Sequence, residues 1–222
     1  MEEITLTSVS RQQITGVVLA GGLNRRMGGR LKALLELNGQ AFIHRQLDEM
    51  SKLCGEVVIV TNQPELFALE CRQLKERRLD ARFVRDLHPG KGPLAGLQAA
   101  MAAADHDNLW VVACDMPYIS AAAAALLHEV RSAHDHDAAV PVLRGRLQPL
   151  HAMYHRRSRG IIDKLLDQGQ YKMTGLLEQL DYARVEDRVL EQRGIRTGFA
   201  ENVNTPEDLE LLQNHKGCGG SL

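Results

Sequence analysis

Glycine and cation alternate in one stretch of this sequence in a way that suits a phosphate ligand. Leu19-Ala-Gly-Gly-Leu-Asn-Arg-Arg-Met-Gly-Gly-Arg-Leu-Lys32 combines Gly21, Gly22, Gly28 and Gly29 with Arg25, Arg26, Arg30 and Lys32. Residues without a Cβ let backbone N–H groups approach an anion closely, and arginine and lysine supply the charge a triphosphate demands. The pattern is not a Walker A loop, because Gly90-Lys91 is followed by Gly92 where Ser or Thr is needed, and no Gly-x-Gly-x-x-Gly follows a strand. P-loop NTPases and dinucleotide dehydrogenases are thereby disfavoured.

Acidic residues stand where such a ligand needs them. In Trp110-Val-Val-Ala-Cys-Asp-Met-Pro-Tyr118 an apolar run ends in Asp115, and Pro117 stops the pairing. A carboxylate at that point can anchor Mg²⁺, which takes one or two protein carboxylates and completes its shell with water and phosphate oxygens. The competing role, capping the next helix, falls more naturally to Ser120. Asp86 opens the loop Leu87-His-Pro-Gly-Lys-Gly-Pro93. It suits either a hydrogen-bond acceptor for a base or ribose or an ordinary turn aspartate. In Asn202-Val-Asn-Thr-Pro-Glu-Asp208, Thr205 caps a helix that Pro206 starts, and Asn202 and Asn204 share one side of an extended segment.

Other constellations carry less. His134-Asp-His-Asp137 lies in a polar turn with no third metal ligand near in sequence. Cys54, Cys71, Cys114 and Cys218 lack a C-x-x-C spacing, and Cys114 has no cationic activator beside it, so zinc and thiolate catalysis are disfavoured. No serine or cysteine sits at a nucleophile elbow. His151 and His155 flank Tyr154 and are expected to line a second substrate pocket, with Arg156, Arg157, Arg159 and Lys172 offering a basic surface for an acceptor's phosphate.

The elements that must position these residues alternate in type. Strands are expected at 15–19, 56–61, 82–85, 108–113 and 138–142, with helices at 43–53, 65–77, 93–104 and 121–132 between them. An extended stretch at 147–154 follows, then helices near 158–168 and 174–180, and a segment at 198–203 leading into a last helix from Pro206. This predicts a three-layer α/β fold: a mostly parallel, mixed, twisted sheet with helices on both faces, Rossmann-like in arrangement. Residues 1–13 read as an N-terminal arm and 14–214 as a single domain with a nucleotide half at about 14–142 and an acceptor-facing half at about 143–214. Residues 215–222 read as a flexible tail.

Composition narrows the partners. The 222 residues carry 27 Lys plus Arg against 28 Asp plus Glu, a formal net charge of -1, so binding nucleic acid through a bulk positive field is disfavoured. No apolar run reaches membrane-spanning length, and the first residues are polar, which predicts a cytoplasmic location and no membrane partner.

With these residues in view, the chain resembles the molybdenum cofactor guanylyltransferases, within the nucleotidyltransferase and nucleotide-diphospho-sugar transferase fold. The likeness rests on Leu19-Ala-Gly-Gly-x-x-x-Arg-Met-Gly28 with Lys32, Leu34-Leu-Glu-Leu-Asn-Gly39, Gly92-Pro-Leu-Ala-Gly96, Cys114-Asp-Met-Pro117, Gln148-Pro-Leu-His-Ala152 and Asn202-Val-Asn-Thr-Pro-Glu207. The resemblance implies transfer of GMP from Mg·GTP to molybdopterin or its molybdenum-loaded form, with release of pyrophosphate. It implies that Leu19, Ala20, Gly21 and Gly22 hold the nucleotide, that Lys32 contacts the phosphates with Arg26 neutralising charge beside it, that Asp86 helps bind the nucleoside, and that Asp115 binds Mg²⁺. Asn62, Asn202 and Asn204 are further candidates, and cofactor-delivery proteins are further partners it implies. Other readings of the same motifs are a nucleotidyltransferase with another base or a sugar-phosphate acceptor, and a GTP-binding accessory protein without turnover. Leu31 stands where the family usually has Asp, and Ala41 where it usually has Pro.

Overall fold

The central strands form where β-branched and aliphatic residues run without interruption, because both faces of a parallel sheet are covered. In the computed structural model, which describes residues 13–21, 31–67 and 80–214, these are β1 (Ile14–Leu19), β4 (Glu56–Val60), β6 (Asn108–Ala113) and β7 (Ala138–Leu143). A hairpin of β2 (Glu36–Leu37) and β3 (Gln40–Ala41) precedes α1 (Phe42–Met50). The chain continues through β5 (Asp80–Val84), α2 (Pro93–Ala103), α3 (Ala121–Ala133), β8 (Arg146–Leu147), β9 (His151–His155), α4 (Arg159–Asp167), α5 (Met173–Leu177), β10 (Tyr182–Glu186), α6 (Asp187–Gln192) and α7 (Pro206–Asn214).

The strand order is β10-β7-β9-β6-β1-β4-β5, with β8 paired to β7. All neighbours on the main path are parallel except β9, which runs against both β6 and β7. The α/β, mostly parallel, mixed sheet is as expected. β1 is flanked by β4 on one side and β6 on the other, so connections leave it in opposite directions, and the crevice at its carboxyl end is the switch point where open α/β sheets bind ligands. We call that end of the sheet the upper edge.

Strand side chains alternate between two cores. Val18, Val57, Ile59, Trp110 and Val112 pack with α1, α3 and α6, whereas Val17, Val58, Val60, Leu109 and Val111 pack with α2, α4 and α5. Gly96 lets α2 settle on the sheet, since a Cβ there would lie 3.3 Å from Leu19 Cδ2. A smaller cluster of Leu35, Leu37, Phe42 and Val203, with Leu209 and Leu212 against it, fixes α7 to the hairpin.

Several sequence expectations shift. The expected helix at 65–77 begins as a 3-10 turn, Pro64–Phe67, and its remainder lies outside the described residues. The extended stretch at 147–154 is broken at Gln148–Leu150 into β8 and β9. β10, α6 and the β2–β3 hairpin were not anticipated. The hairpin carries a recognisable signal, because Asn38 (φ 54°) and Gly39 (φ 73°) form the Asn-Gly pair that two-residue turns favour. The turn from β7 to β8 is of the same kind, with Arg144 (φ 50°) and Gly145 (φ 73°) at its centre. An arginine held there costs roughly 1–2 kcal/mol relative to a right-handed conformation.

Candidate active site

Three polar side chains from distant parts of the chain meet at the upper edge. Lys32 Nζ donates to Asp115 Oδ2 at 3.0 Å and to Asn204 Oδ1 at 2.8 Å. Lys32 and Asp115 are both about four-fifths buried, at 16% and 18% side-chain exposure, so their attraction is less screened than a surface pair's. Asp115 Oδ1 is buried with no hydrogen-bond partner. Buried polar atoms are nearly always partnered, so this carboxylate oxygen keeps its capacity to accept a further partner.

Each member is held by its backbone. Asp115 follows β6, where Ala113 N donates to Leu150 O and Cys114 N to Leu19 O. Val203 N donates to Asp115 O at 2.9 Å, which brings the Asn202–Asn204 segment across from the far end of the sequence. Thr205 caps α7 as expected. Its Oγ1 accepts from Asp208 N at 3.2 Å, while the Asp208 carboxylate accepts from the amides of Asn204 and Thr205 and is held below the usual carboxylate range by those bonds. Ser120, not Asp115, caps α3, its side chain accepting from Ala123 N.

Sequence reasoning missed Gln46. It is fully buried on the apolar face of α1, among Phe42, Ile43, Leu47 and Met50. Its Nε2 donates to Ala113 O at 2.8 Å and Met116 O at 2.9 Å, clamping the backbone on both sides of Asp115. The available signal was a glutamine at a helical position whose neighbours at three- and four-residue spacing are apolar.

The remaining candidates sort by place. Leu19 O accepts from Cys114 N and Ala20 N donates to Val60 O, so the backbone of both residues is tied into the sheet at this edge. Gly21 is exposed with nothing within 4 Å of an added Cβ. Gly22, Arg25, Arg26, Gly28 and Arg30 lie outside the described residues. Leu31 is buried at 8% exposure in the core that contains α1, so the hydrophobic core, not a carboxylate, orients the chain just before Lys32. Asp86 accepts from His88 N at 2.8 Å in a turn, and its own amide donates to Asn62 Oδ1 at 3.1 Å. These two residues therefore shape the loop after β5, at the same edge of the sheet. Asn202 is exposed.

Two expectations are overturned. His155 at the end of β9 pairs in register with Asn108 at the start of β6, which places Arg156, Arg157 and Arg159 at the lower edge, opposite Asp115. They are occupied there: Arg157 by Asp135 and Asp137, Arg156 by Asp107 at 3.0 Å, and Arg159 by Asp163 at 3.8 Å. The antiparallel direction of β9 is the cause. Lys172 alone of that group lies toward the upper edge, beside Tyr171, whose ring carries Lys91 Nζ 4.8 Å from its centroid. His151 lines no pocket. It is fully buried between Trp110 and Phe199, its Nε2 accepts from Ser120 N at 3.2 Å, and burial pushes its pKa down to about 3.

His136 pairs with Asp181 at 2.9 Å, and no group of three potential metal ligands occurs among the described residues. Burial raises the Cys114 thiol to about 12, which removes it as a nucleophile. No helix among the described residues is long and apolar enough to cross a membrane.

Comparison with known proteins agrees with this geometry. The profile of the MobA-like NTP transferase domain matches residues 16–185, from β1 to β10. The molybdenum cofactor guanylyltransferase of Desulfosudis oleivorans is 31% identical over 203 residues, covering 90% of this chain and 94% of that one. Among solved structures, molybdopterin-guanine dinucleotide biosynthesis protein A from Archaeoglobus fulgidus superposes with a TM-score of 0.74 at 27% identity, covering 91% of this chain and 98% of the other. The 4-diphosphocytidyl-2C-methyl-D-erythritol synthase of Anaerococcus prevotii, at 13% identity, 93% and 97% coverage and a TM-score of 0.70, shares the fold. With its lysine, aspartate and asparagine gathered at the switch point of that fold and its likeness running over nine-tenths of its length, the chain belongs to the molybdenum cofactor guanylyltransferase family.

Proposed function

We propose that the protein transfers GMP from GTP to the terminal phosphate of molybdopterin, releasing pyrophosphate, and that Lys32, Asp115 and Asn204 form the centre at which this happens. The observation that carries the reading is the junction of these three at the switch point, with one Asp115 oxygen held by Lys32 and the other bare. Asp115 Oδ1 suits Mg²⁺, which needs few protein carboxylates and takes the rest of its shell from phosphate and water; when bound, it neutralises phosphate charge as a Lewis acid.

In the reaction an oxygen of the acceptor phosphate attacks the α-phosphorus of GTP in line, the bond from that phosphorus to the α,β-bridging oxygen breaks, and pyrophosphate leaves. No covalent enzyme intermediate is required, so the residues contribute position and charge. Lys32, held toward the crevice by Asp115 and Asn204, meets the triphosphate with its ammonium already oriented. Asn204, one bond away, fixes that ammonium from the acceptor side. Gln46 holds the backbone from which Asp115 projects. Arg26 would add charge and Gly22 close backbone approach to the phosphates, and Leu19, Ala20, Gly21 and Asp86 would border the nucleoside. Residues 14–142 make the nucleotide half of one domain and 143–214 its acceptor half. Consumption of GTP, together with free thiols at Cys54 and Cys114, suits the cytoplasm.

The test is pyrophosphate release from GTP, compared with CTP, ATP and UTP, in the presence of Mg²⁺ and freshly prepared molybdopterin. Release with GTP alone is expected, and it should disappear in Asp115→Ala. Equal release with another nucleotide would overturn the choice of base, and full activity in the variant would remove Asp115 from the centre.

A further inference from the structure

The arginines expected to meet the acceptor lie at the wrong end of the sheet, but the upper edge carries a cleft that suits the task. It has a volume of about 400 Å³ and is lined by Arg144, Arg146, Gln148, Thr197 and Glu201 together with the buried Leu143 and Ala200. We propose that this cleft holds the body of the acceptor, a polar anionic heterocycle, while the acceptor's phosphate points to Asp115 and Lys32. The proposal rests on the guanylyl-transfer reading above.

Position is the first argument. The cleft stands at the carboxyl end of β7, and β7 runs parallel to β6 because both oppose β9. It therefore opens on the same edge as Asp115. Its wall is also continuous with the centre: Ala200 and Glu201 lead directly to Val203, whose amide binds Asp115 O, and to Asn204, which holds Lys32. Four residues of extended chain span at most about 14 Å, so a small ligand can occupy the cleft and still present one end to the centre.

Charge is the second. At the lower edge the arginines are matched to aspartates, whereas Arg144 and Arg146 are exposed and make no ion pair among the described residues. Arginine suits an anionic ligand because its planar fork donates two hydrogen bonds at once. Glu201 and Gln148 complement it, the carboxylate accepting from ring N–H groups and the amide serving as both donor and acceptor.

Backbone geometry is the third. Arg144 occupies a left-handed conformation, φ 50°, which asparagine or glycine adopts more cheaply, and its amide is tied to Asp187 Oδ2 at 2.8 Å. A side chain kept at such a position against local preference points to a use for that side chain.

Arg144→Asn with Arg146→Gln removes both charges and leaves the turn with a residue that favours it, so the variant should fold at least as well as the parent. Its KM for molybdopterin in the pyrophosphate assay should rise at least tenfold, with KM for GTP within twofold of the parent. Arg159→Gln, at the lower edge, should leave both values unchanged. Direct binding of molybdopterin, followed by its fluorescence without GTP, should weaken by the same factor in the double variant. If the parent turns over and the double variant keeps its KM for molybdopterin within twofold, the cleft is not the acceptor site. If the parent binds molybdopterin through Arg144 and Arg146 but releases no pyrophosphate, the cleft stands and the reaction assignment falls. If the parent neither binds molybdopterin nor turns over, both are overturned.

Discussion

The two edges of one sheet use charge in opposite ways. At the lower edge, buried Glu56 accepts from Thr15 and Arg82 and from Asp105 N at 2.7 Å, and Arg82 reaches Asp105 as well. Arg157 gathers Asp135 and Asp137, Arg156 meets Asp107, and His136 meets Asp181. At the upper edge Lys32 bridges two side chains, one oxygen of Asp115 has no partner, and Arg144 and Arg146 are free of ion pairs among the described residues. Saturated charges hold strands together and have little left to offer a ligand. Unsaturated ones cost stability and are retained where a ligand completes them.

Substitutions can break this contrast. Replacing Asp115 with Asn keeps the shape and removes the charge, so pyrophosphate release should fall by about 10³-fold while the melting temperature stays within a few degrees of the parent. An equal loss of stability would mean that the upper edge is built like the lower. Glu56→Ala should show the reverse. It strands the Thr15 hydroxyl and the Asp105 amide while Arg82 keeps Asp105 and Ala103 O, and leaving buried donors unpaired costs about 2 kcal/mol, readable by urea unfolding, with turnover of the folded fraction unchanged.

Acid sharpens the comparison further. His151 stays neutral inside the protein down to a pKa of about 3 but takes a proton near pH 6.5 once unfolded. The unfolded state therefore binds more protons in this range, and stability is lost as pH falls below 6.5, by about 2 kcal/mol at pH 5. His128 and His155, also lowered by burial, act in the same direction. His151→Gln, which keeps an acceptor for Ser120 N, should flatten that slope in urea unfolding at pH 7, 6 and 5. The lower-edge carboxylates respond in a different window. Asp105, bonded to Arg82, and Asp135, bonded to Arg157, lie below the usual carboxylate range, so their contribution is present above about pH 4 and lost as pH drops through their lowered values.

The smallest expected effect tests the clamp. Gln46→Leu takes the side-chain donor from Met116 O and leaves Ala113 O with only the Met116 amide at 3.3 Å, which should cost about 1–2 kcal/mol in stability. If Gln46 positions Asp115, the Mg²⁺ concentration for half-maximal turnover should also rise several-fold. A purely structural glutamine would leave that concentration where it was.

How much of this was legible follows from what each residue depends on. β1, β4, β6 and β7 were readable because strands covered on both faces are apolar throughout, as in Val57-Val-Ile-Val60. β10 was not, because Tyr182-Ala-Arg-Val-Glu186 pairs only with β7 at the end of the sheet and its mixed composition imitates a loop. Lys32 and Asp115 were readable from type and position. The Asn204 contact was not, since 172 residues separate it from Lys32 and nothing local records the meeting. Arg156, Arg157 and Arg159 misled because a run of cations gives its sign but not its edge of the sheet, and the reversal of β9 put them on the far one.

The sequence by itself determined the alternation of strand and helix, the aspartate after β6 and the cap at Thr205, all of which depend on residues near one another in the chain. Only the tertiary structure decided which charges are spent on one another and which stay open, because that depends on strand order and direction, and these are settled by the packing of two cores on a single sheet.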